Sequence, residues 1–403
     1  MFADLLRHRD FRWLTAGRTV SVIGNGMAPI ALAFAVLDLT GSVADLGIVV
    51  AARSVANVAL LLAGGVLADR LPRAAVLQGS SLGAGISQAL VASVVLTGTG
   101  SVPLLVVLSM ANGALSAVFG PASSALTSQT VPAELLRAAN AVSGMTRNLG
   151  LIVGGSVAGG LIAVTGPGWG IAADAVTFFV AALCFMRLRV PDPVREPSHV
   201  LADLREGWTE FTGRTWLWVV VLQFLLINAI EAGGLQVLGP SIADASFGRA
   251  GWGLALAAQT VGALVGGLVA VRWQPRRAVF FGTALVAVEA APLLALAVAP
   301  GTVVMAVTLA LTGFAMEQFS IAWDLALQEH IPPDRLARVY SYDAVGSFVA
   351  IPVGQIIAGP VAAAIGAQPA LLGGAAIVVL ATAGALSSSS VRTLRTRTPA
   401  SPA

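Results

Sequence analysis

Apolar residues follow one another along this chain in runs of about twenty, each closed by a short polar break rich in arginine, proline or glycine. A helix of about twenty residues crosses a bilayer core. Such runs predict spans near 13–37, 44–67, 75–97, 102–127, 138–163, 169–188, 216–240, 251–272, 278–298, 302–326, 340–364 and 368–388. The runs are continuous rather than alternating ten-residue segments, which excludes a membrane β-barrel. The expected fold class is an all-α membrane protein of twelve transmembrane helices.

The breaks repeat. "GGVLADRLPRAAV" at 64–76 is echoed by "GGLVAVRWQPRRAV" at 266–279. "FGPASSALTSQTVPAELLRAANAV", from Phe119, is echoed by "FSIAWDLALQEHIPPDRLARVYSYDAV", from Phe319. Phe119 and Phe319, Ala122 and Ala322, Pro132 and Pro332, and Leu136 and Leu336 all stand 200 positions apart. Two echoes at nearly one offset indicate two six-helix halves related by an axis along the membrane normal. The expected organisation is an N-terminal bundle over 1–188, a linker over 189–215, a C-terminal bundle over 216–388 and a disordered tail over 389–403. In the linker, Leu201, Leu204, Trp208 and Phe211 recur at helical spacing, the pattern of a helix lying in the membrane interface. A soluble linker helix is the alternative.

Composition changes the picture in three ways. Apolar residues make up 57% of the chain and charged residues 11%, far below the roughly 25% of a soluble domain. All 23 cationic residues are arginine, and without lysine there is no phosphate-binding loop of the Walker type. His8, His199 and His330 are scattered and Cys184 is alone, so a metal site, a disulfide framework and a nucleophile–base pair are all unsupported. An enzyme is not expected, nor a nucleic-acid partner or a bound cofactor, and an ATP-driven pump would need its nucleotide site on a separate polypeptide.

Arginine placement sets the topology. Arg18, Arg53 and Arg147 fall inside spans, Arg249 alone lies on one side, and the remaining nineteen share the other side. Positive loops stay cytoplasmic, so both termini are expected inside a multi-pass plasma (inner) membrane protein. The first span is too long for a cleaved signal peptide and is expected to remain as an anchor.

These motifs resemble those of the major facilitator superfamily over nearly the whole chain. The loop after the second span matches its G-x-L-a-D-R-x-G-R-[KR] motif through Gly65, Leu67, Asp69, Arg70 and Arg73, with Pro72 and Ala74 departing from it. "NLGLIVGGSVAGG" at 148–160 resembles the fifth-span antiporter motif through Gly150, Gly154 and Gly159, with Gly155 standing where proline is usual. "DLREGWTEF", "RAANAV" and "QEHIPPDRLARVYSYD" resemble the branch that holds macrolide-efflux and enterobactin-exporter proteins. The resemblance implies that spans one, four, seven and ten line a central cavity. It also implies that Asp69, at the negative end of its helix, latches the inside closed with Arg70, Arg73 or the start of span eleven. The bland reading of that loop is a topology marker. The bland reading of the glycines is close helix approach.

Ionisable residues within spans are costly and mark functional sites by default. Glu317 in span ten is the first expectation for proton coupling and Glu231 in span seven the second. Glu289 is expected to be a locally paired bracing residue. Arg53 and Arg147 could counter these carboxylates or an anionic substrate. Arg18 is expected to snorkel to the inner interface. Asn25, Asn57, Asn112, Asn228, Gln223 and Gln259 add possible cavity-lining groups, with Phe34, Phe119, Phe224 and Trp323 as apolar lining. Trp169, Trp216, Trp218 and Trp252 read as interface anchors. The function expected is proton-coupled efflux of an amphipathic small molecule, an antibiotic or a secondary metabolite such as a siderophore, by a monomer alternating its access. A metabolite importer of the same fold and a transport-inactive receptor are the alternatives.

Overall fold

The computed structural model describes every residue except Met1, Leu6, Leu71, 191–207, Gln274, Ala299 and 396–403, and for 61–70 and some others, Arg137 among them, the backbone alone. Its described residues hold twelve helices long and apolar enough to cross a membrane. They are Arg9–Thr40, Val43–Arg70, Arg73–Leu96, Val102–Thr130, Leu136–Thr165, Pro167–Phe185, Thr215–Ser246, Gly248–Arg272, Ala278–Val298, Thr302–His330, Arg338–Ile365 and Ala367–Ser387. We number them as spans one to twelve. The expected runs fall on these helices, most of whose ends extend beyond the apolar stretches, although spans three, six and twelve stop one to three residues short of the expected run. Span one, 32 residues long, reaches about 48 Å.

Glycine and proline explain the punctuation. Gly166 and Gly366 take φ of 86° and 92° between spans five and six and spans eleven and twelve, a region that favours glycine. Pro167 then opens span six at its first position, where a missing N–H is harmless. Three spans are irregular inside, span eleven at a turn, 349–350, just before Pro352. Span seven passes through a π-helical stretch, Ala232–Leu238, just before Pro240. Span nine passes through a 3-10 turn, Val286–Glu289, just before Pro292. Each proline lacks the N–H that would bond four residues back, which loosens the preceding turn.

The packing divides the chain into two compact units. One holds Met1–Glu196 with Gln236–Ala257 and Gln355–Pro360; the other holds Pro197–Leu235, Ala258–Gly354 and Val361–Ala403. The units do not follow the six-plus-six boundary, because the segments 236–257 and 355–360 cluster with the first-half spans. In the second unit the described end of the linker stacks on the protein. The rings of Trp208 and Phe211 lie 5.5 and 6.0 Å from that of Tyr342, and Glu210 bonds Arg214 and Arg335. Those hydrogen bonds, Arg214's first, hold the Glu210 carboxyl below its ordinary 4.5. Its contribution is therefore complete above that pH and is lost as pH falls through the lowered value. Leu201 and Leu204 lie outside the described residues. The tail, expected without structure, begins as a short helix, Ser389–Thr393, because Val391 finds a buried place.

The duplication is written into the closest helix contacts. A Cβ on Gly113 would lie 2.1 Å from the Arg53 carbonyl oxygen, and one on Gly313 would lie 1.8 Å from that of Gln259. A Cβ on Gly154 would lie 2.2 Å from the Ile23 carbonyl oxygen, and one on Gly354 would lie 1.8 Å from that of Ala229. The glycines stand 200 apart and their partners 206 apart, so each half builds the same two contacts. Large apolar side chains such as Val303, Leu380 and Val164 remain exposed instead, as expected of a surface facing lipid.

Gly313→Ala should therefore destabilise the purified protein by about 1–3 kcal/mol, the usual cost of overpacking. Gly79→Ala, whose Cβ would meet nothing within 4 Å, should be neutral. Thermal unfolding in detergent checks this, and equal effects at the two positions would contradict the packing account.

Candidate functional site

Spans one, four and five enclose a cavity of about 410 Å³ in the first unit. Its lining includes Arg18, Asn25, Phe119, Asn140 and Arg147, and among the described residues no aspartate or glutamate. Arg18 does not snorkel. Its Nε donates to Ser123 Oγ at 2.7 Å and its Nη1 to Thr127 Oγ1 at 2.8 Å and Ser143 Oγ at 3.5 Å, while Nη2 donates to the Ser123 carbonyl. Ser123 and Thr127, one turn apart on span four, draw the guanidinium inward. These acceptors are neutral, so the arginine is hydrogen-bonded but its charge is not cancelled. Arg147 is exposed on the cavity wall, with no hydrogen bond or ion pair among the described residues. Asn25 donates to Ser21 Oγ at 3.4 Å.

The second unit brings two carboxyls together. Glu231 ends the regular first part of span seven where the π stretch begins, and Glu289 closes the 3-10 turn of span nine. The two are close enough to act on each other. Glu231 Oε1 and both Glu289 oxygens are buried and accept no hydrogen bond from a neighbouring N–H or hydroxyl. Sequence reasoning separated this pair, giving Glu231 to the cavity and Glu289 to bracing. The tell-tale signal was Pro240 and Pro292, each a short way after its glutamate. Glu317 stands apart from the pair, against Gly266 and Gly267 of span eight. Asn228 donates to the Ser347 carbonyl at 3.0 Å.

The other sequence candidates scatter. Arg53 lies within coulombic reach of Asp174 without a direct ion pair. Asp174, which sequence reasoning passed over, is fully buried in span six and accepts a bond from Gln88 at 2.5 Å. Asn112 is buried with both amide atoms unpartnered, and Asn57 donates to the Gly113 carbonyl. Gly150 and Gly154 meet span one at Val22 and Ile23, while Gly155 and Gly159 meet Gly253 and Ala250. Arg73 is half-buried at the start of span three. Gly65, Asp69 and Arg70 lie where only the backbone is described.

The aromatic expectations need correction. Phe34 does not line the cavity of spans one, four and five; it is fully buried beneath Arg249, whose guanidinium lies 4.7 Å from its ring centre. Trp216 and Trp252 are 6% and 2% exposed, so they pack against protein rather than anchoring at an interface. Trp252 covers Gly239, and Trp216 meets Trp323 edge-on at 5.3 Å. Phe224, Phe319 and Trp323 form a stack with centroids 4.4 and 5.7 Å apart, and Trp323 Nε1 donates to Asp343 at 3.0 Å.

Known proteins place this architecture. The family model described as Major Facilitator Superfamily matches residues 14–354. The chain belongs to the Major Facilitator Superfamily. Within that superfamily it is 29% identical over 386 residues to the multidrug efflux pump Tap of Mycolicibacterium fortuitum, covering 90% of each chain. It is 27% identical over 266 residues to the enterobactin exporter EntS of Escherichia coli, covering 66% of this chain and 64% of that one. A bacterial homologue of the human lysosomal transporter Spinster shares its fold with a TM-score of 0.75 at 15% identity, covering 98% of this chain and 99% of that one. The nucleoside transporter NupG does so with 0.75 at 14%, covering 96% and 99%. The protein is thus an integral multi-pass membrane transporter and not an enzyme.

Sequence reasoning used Arg249 only to count charges, yet in this major facilitator it clamps three segments of one unit. Its Nη1 and Nη2 donate to the two Asp38 carboxylate oxygens at 2.8 and 2.5 Å, and its Nε and Nη2 donate to Asp244 at 2.8 and 3.1 Å. The fork geometry suits guanidinium and not ammonium. The carboxylates are 43% and 39% exposed, so solvent screens the attraction. Arg249→Gln should cost on the order of 1 kcal/mol, and Arg249→Lys should recover less than half of it. Unfolding at low and high salt checks this. A fully stable lysine variant, or a wild type insensitive to salt, would show that the clamp contributes little.

Proposed function

We propose that this transporter exports amphipathic small molecules across the plasma membrane by alternating access, driven by the proton gradient and acting as a monomer. The arginine-rich loops and both termini lie in the cytoplasm in this reading. Similarity to a multidrug efflux pump and an enterobactin exporter supports the outward direction.

The observation that carries the coupling is the pair Glu231 and Glu289. Two carboxyls in one dry site, with no cation beside them among the described residues, cannot both carry charge. A contact between them becomes a hydrogen bond only when one holds a proton. Both sit where their helices leave α geometry, at turns that can tighten or relax as the protein rocks. Exposure to water on one face would release the proton, and return to the dry site would require it again. Glu317, on span ten and apart from this pair, is the second choice for the same role. Asp69, with Gly65, Arg70 and Arg73, acts in this reading as the inner latch, and Asp38, Asp244 and Arg249 hold the outer ends of their segments together.

Expression should lower the cell content of amphipathic compounds exposed to the cells as a panel and measured by mass spectrometry, and an uncoupler should restore it. Glu289→Gln and Glu231→Gln should each abolish uphill export, while exchange of substrate down its gradient persists. Glu317→Gln should keep most export. Uphill pumping by Glu289→Gln with wild-type pH dependence would remove the pair from the coupling step, and loss in Glu317→Gln alone would move that role to span ten. A rise in cell content on expression would make the protein an importer. Asp69→Asn should reach the membrane and lose most transport while its cytoplasmic side becomes more reactive to thiol reagents. Normal transport with unchanged reactivity would leave Asp69 a topology marker.

A further inference from the structure

We propose that the cavity of spans one, four and five is a binding site for an oxyanion, and that the exported substrate is an amphipathic molecule carrying a carboxylate or a comparable acidic oxygen. The proposal rests on the export reading for the word substrate and on the cavity alone for the anion.

Two guanidiniums line a space of about 410 Å³ that contains no aspartate or glutamate among its lining residues. An uncompensated cation within a membrane span is costly and is kept where something answers its charge. Arg18 cannot be answered by its neighbours, since Ser123, Thr127 and Ser143 are neutral acceptors that fix the guanidinium in place without cancelling its charge. Among the described residues Arg147 makes no bond that would hold its fork away from a ligand. One arginine is thus rigid and the other available, an arrangement suited to two-point recognition of a carboxylate. The remaining lining serves the rest of an amphipathic molecule. Phe119 and Val22 are apolar, and Gly144 opens the wall, because a Cβ there would meet nothing within 4 Å. The volume falls in the usual range for small-molecule sites, about 300–1,000 Å³. A cationic substrate would meet two positive charges here and no negative one. An inside-negative membrane potential would also drive the exported anion outward.

The test uses the full chain in lipid nanodiscs, without any gradient, and three probes of one shape: 2-naphthoate, neutral 2-naphthamide and 2-naphthylmethylammonium. Equilibrium dialysis at neutral pH should show naphthoate bound at least tenfold more tightly than either companion. Arg147→Gln should reduce naphthoate to the level of the amide and leave the amide unchanged, while Arg147→Lys keeps part of the preference. Gly144→Leu, which fills the cavity and leaves both arginines in the chain, should weaken the naphthoate as well. Absence of naphthoate binding, equal binding of the three probes, preference for the ammonium, or an undiminished preference in Arg147→Gln would each overturn the proposal. Because dialysis reads neither direction nor coupling, cells that fail to export while the naphthoate preference stands would count against the export reading and not against the anion site.

Discussion

In lipid, one apolar helix gains little from burying its face against another, so helices hold together where their backbones can come close. That constraint organises this protein. Gly113 against Arg53 and Gly154 against Ile23 bring a helix surface without Cβ up to a carbonyl oxygen, and Gly313 against Gln259 and Gly354 against Ala229 repeat it. The first unit contains a further matched set. Gly47 faces the Gln355 carbonyl where Gly253 faces that of Gly155, and Gly359 meets Ala44 where Gly159 meets Ala250. Every member is related to its counterpart by the same offsets of 200 or 206. At these contacts the nearest atoms are mostly backbone. The last four, between spans two and eleven and between spans five and eight, could part and rejoin without drawing long side chains out of holes, which is what the proposed rocking carrier needs.

The scaffold is duplicated, but the chemistry placed on it is not. Arg18 corresponds to Phe224 at an offset of 206, and Ser123 and Ser143 correspond to Trp323 and Asp343 at 200. One unit therefore builds an arginine cradled by hydroxyls, and the other builds an aromatic stack hydrogen-bonded to a carboxylate at the equivalent positions. Asn25 likewise corresponds to Glu231. Polar work has been divided between two copies of one frame, with cations in the first unit and the paired carboxyls in the second.

The spans and their repeat were legible because lipid imposes a one-dimensional rule on sequence: about twenty apolar residues, then a break. Side-chain partnerships obey no such rule. Arg18 reads as a snorkelling residue from its depth alone; the hydroxyls that draw it inward lie more than a hundred positions away. Glu231 and Glu289 read as unrelated because only folding sets span seven beside span nine. Arg249 stood out as the solitary cation of its side, but nothing in the sequence names Asp38 as its partner. Trp216 and Trp252 show the reverse error: a tryptophan near a span end suits an interface equally well from sequence, and only packing shows it turned inward.

In the proposed alternating-access cycle the contact of Arg249 with Asp38, and the glycine seam at Gly155 and Gly253, open, while Asp244, five residues before Arg249, moves with it. Spin labels at the exposed positions Leu39 and Ser246, both within the first unit, read that event directly as a distance distribution in nanodiscs. The account predicts a short distance with the carboxyl pair in one protonation state and a second, longer population as pH is moved through its titration, with Glu289→Gln locking one of the two. A single distance, unchanged by pH and by that substitution, would contradict it.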